Sequence, residues 1–401
     1  MAHDRAQCTV GCLAALGLAA IPAIHFLLMT TLAVRGLVNG NGNVAGEDFA
    51  QIWLGGRLAL EGRVHEVYSP ELFRAAARAA FAAPHVPQIF SYPPTTLVPA
   101  AALALVPYPV ALGLWSALQV GLFTTALVLA TRRFLPAHLA VIIAATSPSL
   151  ALTLPWGQFG SIIAALMTLG MLLLDRRPAL AGVLLGLVVV KPQFGVFVPV
   201  ALLAGRHWRT FAAASLTVAA VGVMGLVLLG TRAWTDFIEI TLPAQAAILS
   251  DPSNYLPIAH SIRDRLVILG MGPAAARVIQ AAIACLALGT VVLAFRRQLP
   301  PACRLFVLAA ATMAALPYVA IYDQAVVALA AMALLAASAG LDRSVQALLV
   351  VVWASPIVDL WLTLSGLPQI GPFIGPVAVV IVLTRERMAE RAPIGAPLQS
   401  A

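Results

Sequence analysis

Long apolar runs separated by short polar interruptions cover most of the sequence. They occupy residues 9–34, 110–131, 138–153, 159–174, 179–204, 210–230, 273–295, 303–320, 324–340, 345–363 and 371–384. Apolar runs of about 20 residues are long enough for helices that cross a bilayer. The proline after Lys191 interrupts run 179–204 and divides it into two short helices. The pattern therefore predicts an all-α polytopic membrane protein with about 12 membrane segments.

The composition supports a membrane protein and excludes a nucleic-acid-binding one. Of the 401 residues, 61% are hydrophobic and 10% are charged, whereas soluble domains carry about 25% charged residues. The net charge of +8 does not mark one basic face, because the arginines come in pairs between the apolar runs. These pairs are Arg132-Arg133, Arg176-Arg177, Arg206 with Arg209, Arg296-Arg297 and Arg385 with Arg387. Such pairs are typical of cytoplasmic loops in a protein surrounded by membrane lipids.

When each arginine pair is placed on the cytoplasmic side, the sequence predicts one membrane domain over residues 1–401. Residues 37–109 form a large external loop, and residues 385–401 form a cytoplasmic tail. The two short helices on either side of Lys191 rise from the cytoplasmic side and return to it, so Lys191 lies at the outer turn. This topology places seven unusual polar residues on the external side: Glu47, Asp48, Tyr92, Gln158, Lys191, Tyr322 and Asp323.

The external loop carries two predicted helices. Phe49, Ile52, Trp53, Gly56 and Leu60 recur at helical spacing, as expected of an amphipathic helix lying in the membrane interface. Ser-Pro-Glu at 69–71 is a helix start signal, and the helix that follows should end before the proline at 84.

Four segments resemble the bacterial membrane glycosyltransferases of family 87. They are DFAQIWLGGRLALEG after the first run, YPP before the second, LPWGQFGSIIAALMTLGMLLLDRR, and AGVLLGLVVVKPQFGVFVPVALLAGRHWR. The similarity extends over residues 46–330. It implies a GT-C type bundle and a hexosyltransferase that takes sugar, typically mannose, from a polyprenyl-phosphate donor. No nucleotide loop and no cofactor are implied, and the acceptor would be a lipid or glycan at the periplasmic face of the bacterial inner membrane.

Asp48 is the predicted general base. Glycosyl transfer with inversion needs a carboxylate that accepts the proton of the attacking hydroxyl, and burial near the membrane boundary raises carboxylate basicity. The alternative is that Asp48 only caps the N-terminus of the interfacial helix. The resemblance favours catalysis, with neighbouring Glu47 as an auxiliary carboxylate that tunes the pKa of Asp48.

Lys191 is the predicted ligand of the donor phosphate. An ammonium inside an apolar run costs about 2.5–3.5 kcal/mol to insert, so a nearby anion should offset it. The leaving phosphate is such an anion, and a fixed cation would stabilise its developing charge. The alternative is that Lys191 extends to the interface without binding a ligand.

Five further residues are predicted to bind the sugar or the acceptor: Tyr92, Trp156, Gln158, Tyr322 and Asp323. Amide and acid groups bind sugar hydroxyls, and a flat aromatic ring stacks on a sugar face. For Tyr92 and Trp156 the alternative is the aromatic belt at the membrane interface.

The later external loop contains His260, Arg263 and Arg265, which break the positive-inside trend. The two arginines are predicted to bind phosphate and His260 the acceptor, or all three belong to a solvated loop. No histidine has ligand spacing with an acid, so no metal site is predicted. The alternative to an enzyme is a transporter or flippase for a lipid-linked sugar, although only one interrupted helix is visible and no inverted repeat; a non-catalytic assembly subunit is a third possibility.

Overall fold

The computed structural model describes residue 38 and residues 42–250, 258–337 and 342–391. The predicted first membrane span at 9–34 lies outside these residues, and the predicted tail at 385–401 lies partly outside. The described residues form helices and short helical turns, and their only β-type pairings are isolated bridges such as that between Ala259 and Ala320. This arrangement confirms the predicted all-α class.

Ten helices make up the first half of the described chain. They are α1 (Glu47–Leu60), α2 (Val64–Tyr68), α3 (Pro70–Ala80), α4 (Pro94–Leu103), α5 (Tyr108–Thr131), α6 (Ala137–Ala145), α7 (Pro148–Trp156), α8 (Gly160–Leu173), α9 (Pro178–Gly186) and α10 (Val198–Ala204). Eight helices follow: α11 (Trp208–Asp236), α12 (Leu242–Leu249), α13 (Ile262–Ile268), α14 (Pro273–Arg296), α15 (Pro301–Ala315), α16 (Ala325–Ala337), α17 (Arg343–Leu364) and α18 (Gly371–Arg391).

Four helical segments of the described chain are long and apolar enough to cross a membrane: Tyr108–Thr131, Trp208–Leu249, Pro273–Arg296 and Arg343–Leu364. The pair α6 and α7, bent by 51°, makes a fifth if it counts as one span. The predicted count of about 12 segments is not confirmed. Several predicted runs correspond to shorter apolar helices, such as α16, which is buried along almost its whole length.

The helix predicted at the start of the external loop is α1, and it packs inside the protein. Phe49 and Ile52 are fully buried, whereas Leu60 is exposed. Gly56 brings α1 against the backbone of α4, because a Cβ at this position would collide with the carbonyl of Ala100. α1 is therefore fixed to the chain that enters the first long helix.

The segment interrupted at Lys191 is a helical hairpin. A 3-10 turn (Leu187–Val190) continues α9, Lys191 leaves the helical conformation with φ −137° and ψ 75°, and a second 3-10 turn leads into α10. The two ends of the hairpin meet, because Arg304 donates hydrogen bonds to Asp175 before α9 and to His207 after α10. The prediction of two short helices that rise and return is confirmed, with Lys191 at the tip.

Candidate active site

A cavity of about 390 Å³ opens between α1, the chain before α4, the hairpin tip and α12. Five predicted site residues line this polar cavity: Asp48, Tyr92, Gln158, Lys191 and Tyr322. Its wall on the side of α12 is apolar and includes Phe237, Leu242 and Leu249. A volume of this size, with a few convergent polar groups against an apolar wall, is typical of small-molecule sites.

Asp48 lies in the first turn of α1, where an acidic side chain is favoured by the helix dipole. One carboxylate oxygen accepts a hydrogen bond from the Gln51 amide at 2.9 Å, and the other accepts one from the Gln158 amide at 2.6 Å. Burial raises the pKa of Asp48, although the Gln158 hydrogen bond and the charge of Lys191 act in the opposite direction. The carboxyl group is therefore held in place and made more basic.

Gln158 is the residue that joins the site together. Gly157, with φ 63°, ends α7 in the left-handed conformation that favours glycine, and this turn points Gln158 into the cavity. The amide nitrogen donates to Asp48 and, at 3.2 Å, to the Tyr322 hydroxyl. The amide oxygen accepts from the Tyr92 hydroxyl at 3.1 Å and from the Lys191 ammonium at 3.3 Å. One amide thus bonds to four of the cavity's polar side chains.

Lys191 is buried, with 6% of its surface exposed, and forms an ion pair with Asp323 at 2.5 Å. The ammonium also lies 5.1 Å from the ring centroid of Phe194 and 5.6 Å from that of Tyr322. An ammonium has three donors, and Asp323 and Gln158 accept from two of them. A donor therefore remains for a ligand in the cavity.

Asp323 does not line the cavity. It is 2% exposed and lies in the 3-10 turn Ile321–Gln324, where its second oxygen accepts a hydrogen bond from the backbone of Ala320. The sequence predicted Asp323 as a sugar ligand and did not predict its ion pair with Lys191. This ion pair offsets the cost of burying the Lys191 ammonium. Asp323 is a counter-ion and a positioning group for Lys191.

Glu47 and Trp156 also lie outside the cavity wall. The Glu47 carboxylate accepts a hydrogen bond from the Asn43 amide, because successive residues on a helix point about 100° apart and Asp48 takes the cavity side. The Trp156 ring packs 5.6 Å from the Tyr322 ring, behind the residue that does reach the cavity. Trp156 therefore supports Tyr322 from behind, whereas Glu47 does not reach the cavity.

Arg263 and Arg265 do not reach the cavity, in contrast to the predicted phosphate-binding role. Arg263 donates to the carbonyls of Leu249 and Ser250 at 2.8 Å each, and Arg265 donates to the carbonyl of Ala259 at 3.2 Å. Both are buried, so the solvated-loop interpretation is wrong as well. The guanidinium groups of Arg263 and Arg265 therefore satisfy backbone carbonyls within the described part of this region.

His260 belongs to a second buried polar cluster. Its ring lies 3.2 Å from Gln369, 3.4 Å from Gln324 and 3.6 Å from Asp359. Burial lowers the pKa of His260, so the ring is neutral at pH 7. Through Gln324, the cluster connects His260 with the turn that carries Asp323, and neither His260 nor Gln324 lines the polar cavity.

Sequence reasoning did not assign five polar residues that line the cavity: Gln51, Ser91, Gln193, Gln245 and Tyr318. Gln193 comes two positions after Lys191 at the hairpin tip. Gln245 is the only polar side chain of the apolar helix α12, and this isolation is the sequence signal that could have identified it. No group of three or more His, Cys, Asp or Glu residues is arranged to hold a metal ion within the described part of the chain.

Comparison with known proteins supports the assignment of the site to a transferase. The sequence model of glycosyltransferase family 87 matches residues 90–318. This range contains Tyr92, Gln158 and Lys191, begins after Asp48 and ends before Tyr322 and Asp323, so it is narrower than the similarity over 46–330 that the motifs indicate. Neither the curated proteins nor the solved structures gave a match. Since the match covers more than half of the chain, the protein belongs to glycosyltransferase family 87.

Proposed function

We propose that this protein moves a hexose, mannose, from a polyprenyl-phosphate donor to a hydroxyl of a lipid or glycan acceptor, with inversion at the anomeric carbon. One observation carries the proposal. Asp48 and Lys191, which are distant in sequence, lie on the same cavity and hydrogen-bond to the same amide, that of Gln158. A proton acceptor and a cation are thereby held side by side around a space large enough for a sugar.

Asp48 acts as the general base in this proposal. The acceptor oxygen attacks the anomeric carbon while its proton passes to the Asp48 carboxylate. The bond between the anomeric carbon and the phosphate oxygen breaks, and its electron pair leaves with polyprenyl phosphate. Each carboxylate oxygen has two lone pairs, and Gln51 and Gln158 occupy one on each. Lone pairs therefore remain for the incoming hydroxyl.

Lys191 stabilises the leaving group. The negative charge that develops on the phosphate during bond cleavage is met by an ammonium that the ion pair with Asp323 already holds in position. Preorganisation of this kind avoids reorientation during the reaction. The apolar wall formed by Phe237, Leu242 and Leu249 suits the isoprenoid next to the phosphate.

The sugar is held by the amides and hydroxyls around the cavity in this proposal. Tyr92 and Tyr322 already bond to Gln158, whereas Gln193, Gln245 and Tyr318 line the remaining wall. A ring of neutral donors and acceptors matches the alternating hydroxyls of a hexose. These residues are the first candidates for sugar selectivity.

The proposal also includes the fold and the orientation. The fold is a GT-C type bundle with about 12 membrane segments, and the cavity opens to the periplasmic side of the bacterial inner membrane. A transporter or flippase for a lipid-linked sugar would also use a broken helix, such as the hairpin at Lys191. The family match favours the transferase.

The test is sugar transfer by the purified chain in nanodiscs, with polyprenyl-phosphate mannose and membrane lipid extract as substrates. We expect Asp48→Asn to lower turnover by about 100-fold or more, because an amide cannot accept the proton. Donor binding should persist. Glu71→Gln, an exposed position on α3 of the same loop, is the matched control and should keep wild-type turnover. Near-normal turnover by Asp48→Asn would exclude Asp48 as the base.

A further inference from the structure

A second polar concavity lies at the other end of the α9–α10 hairpin from Lys191. This groove has a volume of about 660 Å³ and is lined by Leu203, Ala204, Arg206, Trp208, Arg296 and Gln298. We call it the basal groove. Its residues come from the end of α10, the start of α11 and the end of α14. The hairpin arms of α9 and α10 separate it from the polar cavity, so it is not part of the proposed active site.

The ends of two candidate membrane spans form the basal groove. Trp208 is the first residue of the span Trp208–Leu249, and Arg296 is the last of the span Pro273–Arg296. The ends of spanning helices lie at the depth of the lipid headgroups, where tryptophan and arginine are favoured. The groove therefore combines charged arginine side chains with the exposed apolar side chains of Leu203 and Trp208.

The backbone is strained on both sides of the groove. Arg206 with φ 58° and Gln298 with φ 51° are the two non-glycine residues with positive φ in the described chain. Each follows the end of a helix, at the position where glycine is usual. The amide of Gln298 donates to the carbonyl of Gly205, which ties the two helix ends together. A side chain at a position that favours glycine costs stability, and such strain concentrates at binding sites.

The charge of the groove is unbalanced. Arg206 and Arg296 are exposed, and no described residue accepts a hydrogen bond from either guanidinium. The six described lining residues include no acid. The nearby carboxylate of Asp175 is already paired with Arg304 at 3.0 Å. Both guanidinium groups line one groove, and a phosphate can accept several charge-assisted hydrogen bonds from such donors.

We infer that the basal groove binds the phosphate headgroup of an anionic phospholipid, with Arg206 and Arg296 on the phosphate and Trp208 against the glycerol and upper acyl chain. This site is separate from the donor site, and its existence does not depend on the proposed transfer reaction. A bound lipid would fix the base of the hairpin whose tip carries Lys191.

The test measures retention of phosphatidylglycerol by the full chain in phosphatidylcholine nanodiscs, read out by native mass spectrometry. R206A/R296A should weaken retention by about fivefold for each arginine removed. R132A/R133A is the matched control, because it removes the same charge from another span end outside the groove. The control should retain phosphatidylglycerol like the wild type. Equal loss in both variants, or no loss in R206A/R296A, would overturn the inference.

Two further arms identify the ligand. Brominated phosphatidylglycerol should quench tryptophan fluorescence of the wild type more than that of Trp208→Phe, whereas brominated phosphatidylcholine should quench both proteins alike. Glycerol phosphate added in excess should not displace the bound lipid, since it lacks acyl chains. Displacement by glycerol phosphate would show a site for a soluble phosphate and would overturn the assignment to a lipid.

Discussion

The contacts of Asp48 show that this residue does not cap the N-terminus of α1. Gly46, with φ 82°, takes the N-cap position of α1, and no side chain caps this helix end. The Asp48 carboxylate instead bonds to the side chains of Gln51 and Gln158 in the polar cavity. Its position and its hydrogen bonds are those of a group held for use in the cavity.

The raised pKa of Asp48 predicts how turnover depends on pH. The base must be ionised, so kcat should fall as the pH drops through the raised pKa of Asp48 and should be level above it. Gln158→Glu places a second carboxylate against Asp48, which raises the pKa further. The acid limb of the kcat profile should then move to higher pH.

Gln88→Glu is the control for this pH prediction. It adds the same charge at an exposed position of the same loop, where solvent screens it. Its profile should coincide with that of the wild type. An unchanged acid limb in Gln158→Glu would show that a group other than Asp48 controls the profile.

The buried ion pair of Lys191 and Asp323 makes a prediction about stability and donor binding together. Asp323→Asn leaves the ammonium buried without a counter-ion, which should destabilise the protein by about 3–5 kcal/mol. Lys191→Met should raise the donor KM by about 10- to 100-fold, through loss of a charged hydrogen bond to phosphate. The double variant should recover thermal stability relative to Asp323→Asn and should still bind donor poorly.

Thermal unfolding in nanodiscs and initial-rate kinetics measure the two effects separately. A double variant as unstable as Asp323→Asn would contradict the ion-pair account. Unchanged donor affinity in Lys191→Met would mean that the ammonium serves the fold alone. The interface alternative for Lys191 already conflicts with its burial.

At the scale of elements, the packing of α1 on α4 positions the base. Gly56→Ala adds a methyl group that collides with the backbone carbonyl of Ala100, which cannot move aside as a side chain could. We expect a loss of about 1–3 kcal/mol in stability and a larger loss of turnover, because α1 carries Asp48. Thermal unfolding and the transfer assay measure the two losses.

Gly113→Ala is the matched control for this packing. Gly113 also lies inside a helix, α5, but a Cβ there meets nothing within 4 Å. Its replacement should be neutral or slightly stabilising, since alanine is the better helix former. If both alanine variants behave alike, close packing of α1 on α4 is not what places Asp48.

At the scale of the whole molecule, the hairpin separates two chemically different ends. Its tip holds Lys191 in the polar cavity, and its base holds Arg206 and the contacts among Asp175, His207 and Arg304. Each arm has about 13 residues of helix or 3-10 turn, which span on the order of 20 Å. The proposed function places the tip at the periplasmic side and the base at the cytoplasmic side of the membrane.

This arrangement predicts the labelling of single cysteines in intact bacterial cells. In a variant without its native cysteines, Ala82→Cys in the first loop should react with an impermeant maleimide. His138→Cys, beside the Arg132-Arg133 pair, should react only after the inner membrane is permeabilised. Both positions are exposed. The reverse pattern would place the polar cavity on the cytoplasmic side.

The sequence by itself determined the helical class, the break at Lys191 and five residues of the polar cavity. These features are predictable because their signals are local. A hydrophobic run indicates a segment that is buried or in contact with lipid, and proline or glycine indicates a break in a helix. The same local signal cannot distinguish a span from a short buried helix such as α16, because both are apolar throughout. The number of membrane segments was therefore beyond the sequence alone.

Only the tertiary structure decided which polar groups pair. Asp323, Arg263, Arg265 and His260 all had the chemistry of site residues, yet their partners are Lys191, backbone carbonyls and a second polar cluster. Pairing depends on which elements approach within hydrogen-bonding distance, and elements remote in sequence supply the partners here. The same is true of Gln158, whose bonds to Asp48 and Lys191 exist only because α1, the turn after α7 and the hairpin tip meet at one point.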